Sequence, residues 1–379
     1  FFASREDLKI PKQPDAALAT TWQQLQQGNL LMFNSVLMNL GTNYNWVTNP
    51  DTGYQYDNRK HWTEIPDYST QAGDIKYVWE KSRFSYLYDI IRHDYHNGED
   101  CAATVIADIL SWIEHNPINC GPNYRCSQEM SLRVLNWTFA LHYYSNSSHL
   151  TDDVFHKIQH AIYWHLHHIW HNIHFSRIAV RNNHAITETL TLYLGALLYP
   201  TFPGATNWKK WGKKWLEEEI AYQLYPDGTF LQFSMNYHRV VVQLLTWAFT
   251  LTEKNGEQLA PVVRNRAIAS LRFLRVCTND AHGWLPNYGA NDGALFFRLS
   301  TAHYRDYRPQ LHALASVLGM DAHLPATEDV LWYTNGRPTV ASEPLYANGL
   351  TGLHSFTTGG YYIMREANTL TFLRCGSHK

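Results

Sequence analysis

Two short stretches carry residue types that could do chemistry: Arg181-Asn182-Asn183-His184 and, about two helices later, Ser234-Met235-Asn236-Tyr237-His238-Arg239. Each sets amide, imidazole, phenol or guanidinium groups at the start of an apolar-periodic helix. Backbone N–H groups without intrahelical partners converge at such a start, so an anion is readily held there. This grouping suits β-elimination on a uronic acid. In that reaction a carboxylate is neutralised and a base removes the proton from the adjacent carbon. An acid, commonly a phenol, then protonates the departing glycosidic oxygen. Asn183 and His184 fit the neutralising role and Tyr237 the acid role, with Arg181, Asn182, His238 and Arg239 available to position the anion. Structural roles compete at each position: Asn is a favoured N-cap, and Tyr is common at the edge of a core.

Other constellations are weaker. Arg125 also precedes a helix start and is a further anion-binding candidate. A hydrolytic site would need two carboxylates across a cleft; Asp227 and Asp292 could supply them, but each sits in an Asp-Gly turn pair. The chain has no G-x-S-x-G elbow. His156, His160, His167, His171 and His174 share a helix face, yet no H-E-x-x-H spacing accompanies them. A solvated or groove-lining face is therefore preferred over a metal site. Glu129 and Arg133 stand at i,i+4, most simply an intrahelical pair.

Composition narrows the classes. The 379 residues can bury a substantial core, and a formal net charge of −2 argues against nucleic acid bound through a basic field. No apolar run is long enough to span a membrane. Aromatic residues make up 14%, more than a core needs, and part of that excess suits stacking on sugar faces. The five cysteines are odd in number and show no C-x-x-C pair, although Cys120 and Cys126 are close enough in sequence to bridge. Phe1-Phe2-Ala3-Ser4 does not read as a signal peptide.

The elements that must position these residues are mostly helices. The pattern predicts a helix over 16–40 broken at Gly28-Asn29, then a long ordered loop over 42–78. Helices follow around Phe84–Ile91, Ile106–Ile113 and Met130–Trp137, then over 151–174, 184–198, 206–224, 235–253, 259–277 and 304–317. Helix after helix with short breaks points to a mainly α protein, an incomplete (α/α) toroid over 1–325. From 326 the texture changes to strands, expected at Val330–Tyr333, Gly352–Thr357, Gly360–Met364 and Leu370–Arg374: the start of an antiparallel β-sheet domain over 326–379. Such a remnant leaves an open edge, so more sheet is expected to follow in the natural protein.

Taken in order, Gly73-Asp74-Ile75-Lys76-Tyr77-Val78-Trp79-Glu80 with Arg83, Ser111-Trp112-Ile113, Asn116-Pro117, Glu129, Arg133, Asn136-Trp137, Asn182-Asn183-His184, Asp227-Gly228, Ser234, Tyr237-His238 and Asn291-Asp292-Gly293 resemble the heparinase II/III-like polysaccharide lyases. The resemblance implies a toroid packed on an antiparallel sheet domain, with the active site between them. It implies that Asn183 and His184 neutralise the uronate, that Tyr237 is the catalytic tyrosine, and that Asn291 joins the substrate contacts. It further implies a His or Tyr from the sheet domain, a role not assigned to His378. No cofactor is required for the chemistry, though some members hold a structural divalent metal in that domain. The implied partner is an acidic polysaccharide, heparan sulfate-like or another uronate polymer such as alginate, and the implied location is periplasmic or secreted. A glycan-binding protein without turnover and a toroid glycoside hydrolase are the alternatives.

Overall fold

The computed structural model describes residues 1–337, 343–347, 349–366 and 369–376. Its helices are α1 (Ala16–Gln26), α2 (Lys76–Ser82), α3 (Leu87–Asn97), α4 (Ala102–His115), α5 (Ser127–Tyr143), α6 (Asp152–His174), α7 (Asn183–Leu198), α8 (Ala205–Gln223), α9 (Met235–Lys254), α10 (Pro261–Cys277), α11 (Arg308–Val317) and α12 (Glu328–Thr334). From α3 onward, alternate helices form two layers. Helices α3, α5, α7, α9 and α11 touch in series, while α4, α6, α8 and α10 lie outside them. The inner α5, α7 and α9 are buried nearly all round, whereas α6 and α8 bury one stripe. This is an incomplete α/α toroid. Successive helices reverse direction, so the inner helices run parallel and their N-termini collect on one rim. Cys126 at the start of α5 lies against His184 at the start of α7, with Sγ and Nδ1 3.9 Å apart.

Large aromatic residues fill the space between layers. Trp112 meets Trp137 edge-on and Trp137 meets Phe84, with all three buried. A side chain of this size contributes roughly 2–3 kcal/mol on burial. Arg133 is buried within this cluster. It donates to the Ser82 carbonyl and to His165 Nε2 and lies over the Trp112 ring. The expected Glu129–Arg133 pair is therefore absent: Glu129 instead receives Arg83 from the preceding inner turn, at 2.6 and 2.9 Å.

Three further expectations are corrected. The helix expected to run on to residue 40 stops at Gln26, and residues 29–39 form a hairpin in which β1 (Asn29–Met32) pairs with β2 (Val36–Asn39). Its tip is fixed by contacts far away in sequence, from the Phe33 amide to Glu80 Oε1 and from Asn34 Nδ2 to the Gly293 carbonyl, both 2.8 Å. The strand expected at Val330–Tyr333 is α12. Its Glu328 carboxylate accepts from Arg92, His96 and Trp332, which ties the segment to the helical body. The Cys120–Cys126 bridge is not formed, and all five cysteines are thiols.

Short strands complete the chain. Within the long loop, β3 (Tyr68–Ser69) pairs with β4 (Gly73–Asp74), and β5 (Met320–Asp321) pairs with β6 (Glu343–Pro344). Strands β7 (Gly352–Phe356), β8 (Tyr361–Arg365) and β9 (Leu370–Arg374) form the antiparallel sheet in that order. Its inner face, with Phe356 and Tyr361, packs on Phe273 of α10. Two polar ties reinforce that packing. Arg365 donates to the carbonyls of Val276 and Thr278 at the end of α10, and Asp227 accepts the Thr358 and Gly359 amides at the β7–β8 turn. His378 lies outside the described residues. No described helix is long and apolar enough to cross a membrane.

Candidate active site

The rim where the inner helices begin brings the key side chains together. At α7, the Asn182 side chain caps the helix by accepting from the His184 amide at 2.9 Å. The next residue, Asn183, is buried at 1% exposure, and neither its Nδ2 nor its Oδ1 has a hydrogen-bond partner. An orphaned buried amide costs about 1–3 kcal/mol, so it marks a place where a ligand would supply the missing partner. His184 follows, pushed down to about 4 chiefly by burial. Its imidazole is therefore neutral at physiological pH.

At α9, Ser234 caps the helix, accepting from the Tyr237 amide and donating to the Ala290 carbonyl. That second bond joins the helix start to the loop holding Asp292. The Tyr237 phenol donates to Asp292 Oδ2 at 2.6 Å, and Lys76 Nζ stands 3.6 Å from the same oxygen. Burial first, and then this carboxylate, raise the phenol well above its ordinary value, so Tyr237 holds its proton. His184 and Tyr237 feel the same charges: Arg83, Glu129 and Asp292 act on both. Arg83 is itself clamped between Glu129 and Glu80. A cavity of about 490 Å³ opens beside His184, walled by Trp62, Trp79, Phe175 and Val180, with Lys76 and Arg125 at its edge.

The remaining candidates divide. Arg125 lines the cavity, pairs with Asp67 at 3.0 Å and lies over the Trp62 ring. Asn291 is exposed beside Asp292 and accepts from the Tyr304 hydroxyl at 2.7 Å. Arg181 adopts φ +44°, reaches Glu219 at 3.3 Å and stacks over Tyr222. His238 and Arg239 do not face a ligand, which corrects the expectation that they position the anion. His238 is buried against Phe230 and Phe273 and bonded to Ser270 Oγ; Arg239 is buried between the Tyr304 and Tyr307 rings and bonded to the Tyr304 carbonyl. Their helix turn faces the interior, one step round from Tyr237. Asp227 accepts from Thr229, Thr358 and Gly359 and so holds a structural joint.

Asp292, Lys76 and the Arg83–Glu129 pair belong to the site but were not assigned to it from residue types. Asp292 reads as a turn residue, and Glu129 as the partner of a neighbour on its own helix. The ordered run of motif residues containing all of them was the available signal.

Among the described residues, one grouping of three metal-ligating side chains exists: His93, Glu99 and Cys101. It lies on the helical body, not in the sheet, and does not fit a metal. Asn97 Oδ1 accepts the Asp15 amide, which forces its Nδ2 toward His93 Nδ1. His93 therefore carries its proton on Nε2 and donates it to Glu99 at 2.9 Å.

A helical toroid meeting an antiparallel sheet, with amide, imidazole and phenol gathered where parallel inner helices begin, is an architecture with known relatives. The heparinase II/III N-terminus family model matches residues 9–263, and the chain belongs to that family. Among solved structures, heparan sulfate lyase HepC from Pedobacter heparinus matches with a TM-score of 0.57 at 14% identity, over 96% of this chain and 52% of that one. A heparinase III structure matches with a TM-score of 0.59 at 16% identity, over 97% and 54%. The chain thus spans about half the length of these structures, and at such identity they show a shared fold. A search of curated proteins found no match.

Proposed function

We propose that this chain forms the toroid and an antiparallel sheet of a polysaccharide lyase that cleaves a uronic-acid-containing polymer by β-elimination. The observation that carries the reading is a phenol, Tyr237, at the start of α9 and a neutral His184 next to an unpartnered Asn183 amide at the start of the adjoining α7, with Tyr237 and His184 both acted on by Arg83, Glu129 and Asp292. The uronate carboxylate is received by Asn183 and His184, with the α7 N-terminus and nearby Lys76 offsetting its charge. As a base takes the proton from the adjacent carbon, the C–H electron pair forms the C=C bond and the C–O bond to the leaving sugar opens. Tyr237 turns from Asp292 and gives its proton to that oxygen. Burial and then Asp292 keep Tyr237 a phenol in the resting site, so it enters the reaction carrying the proton it donates and not as a phenolate base. No described residue is assigned as the base.

A heparan sulfate-like glycosaminoglycan is the favoured substrate class. Family membership and the two cations at the cavity edge support it, and alginate or another uronate polymer is the alternative. The reaction so written needs no cofactor, and the family points to a periplasmic or secreted setting. The test is absorbance of the unsaturated uronate product across a panel of heparan sulfate, heparin, hyaluronan, chondroitin and alginate. Activity on one polymer should fall about 10²–10⁴-fold in Tyr237→Phe, the usual loss of a general acid. Saturated reducing ends, with Tyr237→Phe unimpaired, would replace this reading with hydrolysis.

A further inference from the structure

Where α5 begins, Cys126 stands against the start of α7, its Sγ 3.9 Å from His184 Nδ1. Both side chains are half-buried and line the same cavity. Among the described residues, this sulfur is the one hydrogen-bond partner of the His184 ring, and Nδ1 is the one acceptor within reach of the thiol proton. Elsewhere Cys126 packs on the small apolar cluster that holds Ile75, Val78 and Trp79. The other ring nitrogen, Nε2, has no partner among the described residues.

The two groups are complementary in their protons. Burial, followed by the Glu129 and Glu188 carboxyls, pushes the thiol up, so it carries its hydrogen. His184, held down to about 4 chiefly by burial, is a neutral ring with one N–H and one bare nitrogen. If Nδ1 bore the ring proton, it would point at a sulfur that the Gln128 and Glu129 amides already approach from the first turn of α5, and the S–H would have no acceptor. If Nδ1 is bare, the S–H donates to it and the ring proton sits on Nε2. The second arrangement satisfies both groups. The hydrogen bond at one ring nitrogen thus decides what the other presents.

We propose that Cys126 is a positioning residue: its S–H bond to Nδ1 holds His184 as the Nε2–H tautomer, so that the ring offers the cavity a hydrogen-bond donor and not a lone pair. Under the proposed elimination, on which the role in turnover rests, that donor meets the uronate carboxylate beside the Asn183 amide. A carboxylate oxygen only accepts, so the opposite tautomer would set a lone pair against it. The same assignment removes Nε2 of His184 from the groups able to take the substrate proton in the resting site.

Long-range proton–nitrogen NMR spectra of isotope-labelled histidine rings read the tautomer at about pH 7 without any polymer. The His184 signals are identified by their loss in His184→Gln. The unaltered protein should show mainly the Nε2–H ring. Cys126→Ala should raise the Nδ1–H share about two- to tenfold, the size of one modest hydrogen bond, and Cys126→Ser, whose hydroxyl still donates, should restore the original ratio. A resting Nδ1–H ring, or the same ratio in all three proteins, would overturn the proposal. Turnover is read next, on the polymer that yields unsaturated product. There Cys126→Ala should lower kcat/KM about two- to tenfold and Cys126→Ser should recover it; full activity in Cys126→Ala would remove the thiol's part in turnover. Shifted tautomers in a protein that cleaves no polymer would support the thiol's hold on His184 and count against the elimination alone.

Discussion

Asn183 states the site's chemistry as a stability cost. Both ends of its amide are buried without partners, which a fold tolerates only where something else is gained. Asn183→Leu, close in volume and free of polar atoms, should raise stability by about 1–2 kcal/mol while removing turnover; chemical denaturation alongside the product assay checks both halves. A loss of stability would mean that the amide has partners in solution. At this scale the sequence was legible where chemistry was local. Asn182, Asn183, His184 and Tyr237 stand at helix starts because Asn182 and Ser234 cap those helices; the cap preference of asparagine was readable from its type, and the cap at Ser234 was shown by the structure. What escaped was partnership across the chain. Tyr237 and Asp292 are 55 residues apart, and Arg83 and Glu129 are 46 apart, distances that no helical spacing encodes. For His238 and Arg239 the types suited an anion, but one step along a helix rotates a side chain by about 100°, which turned both inward.

At the scale of elements, the β1–β2 hairpin decides how firmly Asp292 is held. Its tip carbonyl at Phe33 lies so close to Gly293 that a Cβ there would sit 1.9 Å from the oxygen, and Gly293 has φ +77°. Gly293→Ala should therefore cost about 1–3 kcal/mol from backbone strain alone, more with the clash. It should also loosen the Tyr237–Asp292 contact, lowering the melting temperature and the product rate together. An unchanged melting temperature would show that the tip is not seated on Gly293. The hairpin was missed because its turn is Phe33-Asn34, both at φ +52°, instead of an Asn-Gly pair. Leu30, Leu31 and Met32 then read as a continuing helix. The opposite error occurred at α12, where four apolar residues suit either period; the acids Glu328 and Asp329 after Thr327 were the unread helix-start signal. The long inner and outer helices, whose periodicity extends over many turns, were the legible part.

For the whole molecule, burying imidazoles has a cost at low pH. His142, His168 and His184 are each lowered to about 4 and His238 to about 3, all chiefly by burial. A lowered histidine binds its proton more readily when unfolded, so its contribution is fully present above 6.5 and is lost as pH falls toward 4. Asp329, raised to about 6, and Glu188 oppose this, but the histidines outnumber them. The melting temperature should fall steeply from about pH 6.5 to pH 4; a flat profile would show that these rings are hydrated in solution. The toroid was legible as a fold class because alternate burial follows from the order of helices.

The two polar ties between toroid and sheet bear on how the molecule comes apart. Arg365 occupies carbonyls that α10 leaves open at its end, and Asp227 holds the β7–β8 turn against the loop before α9. Neither part can detach without stranding buried polar groups of the other. Helices and strands should therefore melt as one cooperative unit, with a single calorimetric transition whose van't Hoff and calorimetric enthalpies agree. Arg365→Ala should split that transition in two, the sheet uncoupling first.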